Sequence, residues 1–341
     1  MSVINIVPAD TSACSHYRLL QQAKLLQLKG LDATISPAGK FRAMSQVDTV
    51  YTQRLCNTNL LEQILDFKKA TGVRVIVDYD DLVWKDERGT IPDYNWCSKK
   101  VNLQENTEGM AKYLDEVADL ITCSTDPLKS ALSKFVSADK IHVIPNMLSY
   151  EEWGFNRFNQ LPDKNVFYFA GSDTHFSNPD KMKGDFSDGL IRYLSDKPLI
   201  VKNRAPWFFN DPVQIQWSTL NRYARDLFKE SAGCRFIVAP LAENFFNTCK
   251  SDLKYLEAAA VGRVCLVSDF EGSPYANAHP YQKIPVNATY KEIEYIVQRA
   301  NENYKEILKH QWTYLNSRWL DNHLDEYIKI LGFEESSTET R

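Results

Sequence analysis

The chain has 341 residues, 44% hydrophobic, 25% charged and 12% aromatic, which at ~100–200 residues per domain suggests about two domains and excludes a small stapled scaffold or a disordered, collagenous or coiled-coil chain. Lys and Arg number 40 against 44 Asp and Glu, a formal net charge of -4, so no global basic field attracts nucleic acid or anionic lipid, and only a local basic groove is left open. The seven cysteines (14, 56, 97, 123, 234, 249 and 265) form no Cys-x-x-Cys pair, and the six histidines show no ligand spacing; reduced thiols in cytoplasm and chemistry without a resident metal are expected. No apolar run approaches the ~18 residues of a spanning helix, and the opening segment lacks the pattern of a signal peptide.

The elements alternate from the start. Val3–Val7 is an apolar strand ended by Pro8, followed by a small-polar loop and a helical pattern from Tyr17 to Lys29, stopped at Gly30. Strands at Ala33–Ser36 and Val47–Thr52, a helix over Asn59–Ala70, and the β-branched strand Val73–Val77 come next. A helix over Gln104–Val117, the strand Leu120–Ser124, a helix opened by Asp126-Pro127 and the strand Ile141–Ile144 complete the first half. Periodicity fades between Leu148 and Lys164, a polar stretch with Trp, Gly and Pro that reads as a linker. Alternation resumes with strands Val166–Ala170, Leu199–Val201, Arg235–Ala239 and Val264–Val267 and helices over Phe186–Leu194, Leu220–Lys229 and Leu253–Ala260; the tail beyond Thr289 is helical and ends in a polar segment expected to fray. The expected boundaries are 1–155 for an N-terminal α/β domain, 156–310 for a second α/β domain, and 311–341 for a C-terminal helix and tail. Each half should be a mostly parallel sheet covered by helices, with ligands beyond the carboxyl ends of its strands.

The loops after strands therefore carry the chemistry. If a helix starts near Thr248, then Asn247, Lys250, Lys254 and Glu257 share one face of its first three turns. A helix amino terminus entered through Asn, Lys and Ser is a ready diphosphate site, and Glu257 about two turns on is placed to accept from ribose hydroxyls. The plainer alternative is a solvated face with a Lys254–Glu257 ion pair. Gly-x-Gly-x-x-Gly, P-loop and Gly-x-Ser-x-Gly motifs are absent, which argues against dehydrogenases, P-loop kinases and α/β-hydrolases.

The run Asn247-x-x-Lys250-Ser251-x-x-Lys254-x-x-Glu257, followed by Ala258 and then Gly262, resembles the carboxy-terminal domain of GT-B-fold glycosyltransferases related to glycosyltransferase family 4, in a compact, phage-like form. Many members carry a second Glu eight positions earlier, where this chain has Cys249. The resemblance implies two Rossmann-like α/β domains facing a cleft, a ribose contact for Glu257, and Lys250 and Ser251 facing the diphosphate. Ser12–Arg18 looks like the loop ending in Tyr-Arg found in relatives, which would bring Arg18 to the cleft. Ala170–His175 is similar to their Gly-Ser-x-x-His loop, which would bring Gly171, Ser172 and His175 to the donor; a satisfied surface histidine is the alternative. Ser124–Pro127 and Val143–Asn146 recur in relatives and read as structural turns. Transfer with retention, no cofactor and a nucleotide-diphosphate sugar, a UDP-sugar first, are what the resemblance implies.

The tetrad Asp78-Tyr79-Asp80-Asp81 ends a strand, where carboxylates hold a cation or act as bases. It partly resembles the first motif of haloacid-dehalogenase-type phosphatases, although Leu82 stands where that family has Thr or Val. A metal-free role for Asp80 and Asp81 in lining the cleft is the preferred reading, with a metal-dependent phosphohydrolase on Asp78 and Asp80, or a silent nucleotide or sugar binder, as the rivals. Lys250, Asp80, Asp81 and Arg18 are thus the candidate catalytic groups, with Arg204 beside Lys250 for the leaving diphosphate. For the acceptor, a hydroxymethylated pyrimidine in DNA stands beside glycan, lipid-linked sugar and protein. Lys99-Lys100, Lys181–Lys183 and Asn203–Phe209 offer basic and aromatic groups for a strand.

Overall fold

The computed structural model describes residues 3–41, 46–89, 102–154, 162, 165–171, 175–176, 184–203, 205–216 and 219–333. The first sheet contains β1 (Val3–Val7), β2 (Asp32–Ile35), β3 (Thr49–Gln53), β4 (Arg74–Tyr79), β5 (Leu120–Cys123) and β6 (Ile141–Val143), all parallel, in the order β2-β1-β3-β4-β5-β6. The second contains β7 (Phe167–Ala170), β8 (Leu199–Lys202), β9 (Val213–Ile215), β10 (Phe236–Ala239), β11 (Val264–Asp269) and β12 (Lys283–Pro285), also parallel, in the order β12-β11-β10-β7-β8-β9. Helices on both faces explain why the central strands are continuous apolar runs: Val75, Ile76 and Val77 of β4 are all sealed from water.

In the first half a helical turn (Ala13–Ser15) and a π-helical stretch (His16–Leu20) lead into α1 (Gln21–Leu28); α2 (Thr58–Thr71), α3 (Leu103–Val117) and α4 (Asp126–Leu132) follow. The last three bury Leu61, Ile64, Met110, Leu114 and Leu128 against Val75, Val77 and Ile121. Local signals set their ends. Asn57 and Thr125 side chains cap α2 and α4, and Gly72, at φ 73, stops α2 in a left-handed turn that a side chain would strain.

The second half contains α5 (Asp188–Ser195), α6 (Leu220–Glu230), α7 (Leu253–Ala260), α8 (Tyr290–Glu302) and α9 (Tyr304–Asn316). Leu190, Tyr193, Ile293, Val297 and Ile307 cover one face of its sheet, and Tyr223, Leu227, Leu256, Ala259 and Leu315 the other. The chain then returns to the first half. Leu148 and Trp319 form a parallel bridge, and α10 (Leu320–Leu331) lays Leu324, Tyr327, Ile328 and Leu331 on the same core as Ile4, Ile6, Leu25 and Ile76. The Tyr51 and Tyr327 hydroxyls meet at 2.6 Å inside that core.

Most elements lie where the pattern puts them, with differences at the margins. Sequence patterning does not mark β9 and β12, because three-residue edge strands have no room for a period; Val213 of β9 is exposed. The first helix begins at Ala13, ahead of the expected Tyr17, with a wider turn over His16–Leu20. Among the described residues no helix is long and apolar enough to cross a membrane.

Candidate active site

β1 is flanked by β2 on one side and β3 on the other, the reversal point at which a parallel sheet opens a crevice beyond its strand ends. Arg54, just past β3, organises that crevice. Its backbone is left-handed at φ 51, a conformation that costs a non-glycine residue on the order of 1 kcal/mol. Its guanidinium holds Asp80 in a fork, Nε to Oδ1 at 2.7 Å and Nη2 to Oδ2 at 2.9 Å, and reaches Asp10 at 3.3 Å and Asp81 at 3.6 Å. Gln53 donates to the same Asp80 oxygen at 3.1 Å, and Ser15 lies 2.8 Å from both Asp10 and Gln53. Burial alone would push the Asp80 carboxyl up, but Arg54 outweighs it and holds the group at about 2.

Below this layer Arg18 and Asp78 form a sealed pair. Arg18 is 1% exposed, with Nε and Nη2 on Asp78 (3.0 and 2.7 Å) and Nη1 on the Ile144 carbonyl (2.6 Å) and Asn146 Oδ1 (3.0 Å). Burial works against its charge, yet Asp78 raises it above the usual guanidinium range. The expected reach of Arg18 into the cleft is therefore indirect, through Asn146. Asp78 also accepts from Thr122 at 2.6 Å and is wholly buried, so the nucleophile that a phosphohydrolase would need is covered by its own partners.

The second domain brings a loop across. The helix expected over Leu253–Ala260 is present as α7, but the earlier start near Thr248 is not: a separate one-turn helix (Phe245–Thr248) capped by Asn244 comes first. Asn247 consequently does not share a face with Lys254 and Glu257. It is buried, donating Nδ2 to Asp185 Oδ1 (2.8 Å) and to the Ala242 carbonyl (2.8 Å), and its Oδ1 has no partner among the described residues. Asp185 in turn accepts from Ala242 N at 3.0 Å and pairs with His175 Nδ1 at 2.9 Å. His175 is thus tied to a buried carboxylate. Gly171 follows β7, and a Cβ there would stand 2.2 Å from the Phe169 ring, which is why the backbone stays bare at this strand end. Ser172, Arg204 and the 99–100 and 181–183 lysines lie outside the described residues.

Lys250 faces the first domain, with Nζ 3.7 Å from Asp81 Oδ1 and 4.5 Å from the centre of the Phe246 ring. Burial disfavours its charge, but Asp81 and then Asp185 hold the ammonium above the ordinary lysine range. Ser251 accepts from Asn146 Nδ2 at 2.6 Å. Asp252, placed to cap α7, makes no cap: its carboxylate is drawn away by Arg318 at 2.7 Å and by the Tyr314 hydroxyl. Among the described residues the amino end of α7, which follows a lysine and a serine, therefore has no side-chain cap.

Further along α7, Glu257 is 2% exposed and accepts from Lys254 (2.8 Å), Tyr223 (3.1 Å) and, from the first domain, Tyr17 (2.7 Å). The ion pair of the plainer alternative is present, but its carboxylate is buried beneath Tyr17 and Tyr223 and is not part of a solvated face. Two further links join the domains: Thr125 donates to the Cys249 carbonyl at 2.9 Å, and Arg88 lies 4.2 Å over the Phe245 ring. Phe246 and Cys249 sit inside the first domain's core.

Cys14, Asp80 and Asp81 place ligand-type atoms within 4.8 Å of one another. The set does not fit a divalent cation. Arg54 and Lys250 already balance its carboxylates, and burial followed by Asp80 raises the Cys14 thiol, keeping it protonated.

Sequence reasoning missed Arg54, Asp10, Tyr17, Asp185 and Asn146. A lone Arg after a strand has no motif, and Asp185 and Asn146 act through partners distant in the chain. No protein-family model and no curated protein sequence matches the chain. Among solved structures, Alr3699/HepE of Anabaena in complex with UDP-glucose has a TM-score of 0.65 at 10% identity, covering 98% of this chain and 100% of that one. Its complex with UDP and glucose gives 0.64 at 10% identity, over 97% and 100%. A glycosyltransferase from Rickettsia africae gives 0.56 at 14% identity, over 98% and 99%. The likeness runs through both sheets, and the chain has the GT-B arrangement of two Rossmann-like domains facing a cleft.

Proposed function

We propose that the chain is a glycosyltransferase that moves a sugar from a nucleotide-diphosphate sugar, a UDP-sugar first, to an acceptor held on the first domain's side of the cleft. One observation carries this reading: the uncapped amino end of α7 is preceded by Lys250 and Ser251, whose side chains reach Asp81 and Asn146 of the first domain. Such an end binds a diphosphate, and it stabilises best the charge that grows there as the glycosidic bond breaks. HepE, whose fold extends over the whole chain, was solved with UDP and with UDP-glucose.

In this reading Lys250 and the α7 N–H groups take the developing charge, Arg54 keeps Asp80 and Asp81 aligned beside them, and His175 is held by Asp185 near the sugar. A ribose reaches Glu257 by displacing the Tyr17 hydroxyl, so donor entry loosens one contact between the domains. Transfer with retention and without metal belongs to the same proposal; the two cations on the Asp80–Asp81 pair support the second point. For the acceptor, the hydroxymethylated pyrimidine of DNA stays a proposal beside glycan, lipid-linked sugar and protein. It predicts binding that falls steeply with salt, and a flat response removes it.

The test is thermal stabilisation by a panel of nucleotide sugars, with and without EDTA, on wild type and Glu257→Ala. A UDP-sugar that raises the melting temperature of wild type in EDTA but not of the variant is the expected result. Stabilisation only with a divalent metal, or by no nucleotide at all, would overturn the reading.

A further inference from the structure

We infer that Asn146 is a positioning residue: held by the buried Arg18–Asp78 pair, it forces the Ser251 hydroxyl to act as a hydrogen-bond donor toward the diphosphate. The inference rests on the donor-site reading above and deepens it. A guanidinium has only donors, so the Asn146 atom 3.0 Å from Arg18 Nη1 is the amide oxygen. The amide nitrogen must then face Ser251, at 2.6 Å. The opposite amide orientation would set two donors against each other in a site closed to water, because Arg18 and Asn146 are both buried.

An amide N–H can only donate, so Ser251 Oγ accepts, and its own proton must point away from Asn146. Among the described residues nothing accepts that proton. Ser251 is only partly buried, next to Lys250 and immediately before the uncapped start of α7. An anionic oxygen satisfies all of these groups together. Arg18 has no freedom to turn, since Asp78 holds Nε and Nη2 and the Ile144 carbonyl accepts from Nη1 alongside Asn146. The direction of one hydroxyl proton is thereby set by an ion pair in the other domain. The Val143–Asn146 segment, which reads in sequence as a structural turn, gains a role in recognition.

Calorimetric affinity for UDP, in EDTA, on wild type, Ser251→Ala, Asn146→Asp and the double variant tests this, with melting temperatures taken alongside. In Asn146→Asp one carboxylate oxygen keeps Arg18 and the other accepts the Ser251 proton, reversing the bond. Ser251→Ala and Asn146→Asp should each weaken UDP binding about ten-fold, and the Asn146→Asp loss should largely vanish in the Ser251→Ala background. An Asn146→Asp loss of equal size with and without Ser251 is a plain charge effect and overturns the inference. So does an Asn146→Asp variant that binds like wild type. If Asn146→Asp does not fold, Asn146→Ala replaces it in the cycle, with a smaller loss that must again depend on Ser251. Wild type that binds neither UDP nor any UDP-sugar overturns the site reading itself, which separates that failure from failure of the relay alone.

Discussion

Lys250 lies 3.7 Å from Asp81 of the first domain, and the charges of Asp81 and then Asp185 keep its ammonium charged in spite of burial. A lysine whose charge is already secured meets a leaving diphosphate without rearrangement, and such preorganised charge is worth more in the transition state than in the ground state. Lys250→Ala is expected to lower kcat about 100-fold while changing UDP-sugar affinity much less. Equal losses in kcat and in affinity would assign Lys250 to ground-state binding instead. Arg54 makes a different prediction, because its fork on Asp80 is structural as well as electrostatic. Arg54→Met strands a buried carboxylate and should cost about 3 kcal/mol in urea unfolding at neutral pH. Asp80 is depressed to about 2 in the folded protein, so the pair's contribution is complete above the unfolded carboxylate value of ~3.9 and fades as pH falls toward 2. The gap between wild type and Arg54→Met should therefore narrow across that interval, and a constant gap would contradict the pairing.

Individual elements differ in how openly their sequences declare them. Helix α8 is explicit: Thr289 accepts from Glu292 N, and the Glu292 carboxylate returns to Thr289 N at 2.7 Å, a reciprocal cap on an amphipathic helix. Thr289→Ala is expected to remove about 1 kcal/mol, read as a lower melting temperature; no change would mean that α8 frays without consequence. The buried strands and the long helices were equally legible, since a strand sealed on both faces must be apolar throughout and Asn57, Thr125 and Gly72 mark helix ends by local chemistry. The approach to α7 was not. Its periodicity fits one continuous helix, but Asn247 prefers Asp185, and Phe246 and Cys249 are drawn into the first domain's core. Tertiary partners break the helix there, and no local rule contains them. The candidate site was half legible for the same reason: Lys250, Ser251 and Glu257 belong to one readable run, whereas Arg54, Asp185 and Asn146 acquire meaning only from partners elsewhere in the chain.

At the scale of the whole molecule, Tyr17–Glu257, Asn146–Ser251 and Asp81–Lys250 join the two domains across the proposed donor site. Tyr17→Phe removes one of these links and also the group that a ribose must displace, so it should bind UDP at least as tightly as wild type. Weaker binding, measured by calorimetry, would show that the phenol itself contacts the nucleotide. Helix α10 adds a dependence that reaches back to synthesis. β6 ends at Val143, but the helix that completes, beside α1, the cover of the first sheet's second face begins only at Leu320. At ~5–20 residues per second, the roughly 175 intervening residues leave that apolar face waiting on the order of 10–35 s on the ribosome. Nascent chains arrested before Leu320 should lose β1–β6 to protease far faster than chains extended past Leu331, so the cell must shelter the first sheet until α10 has been made.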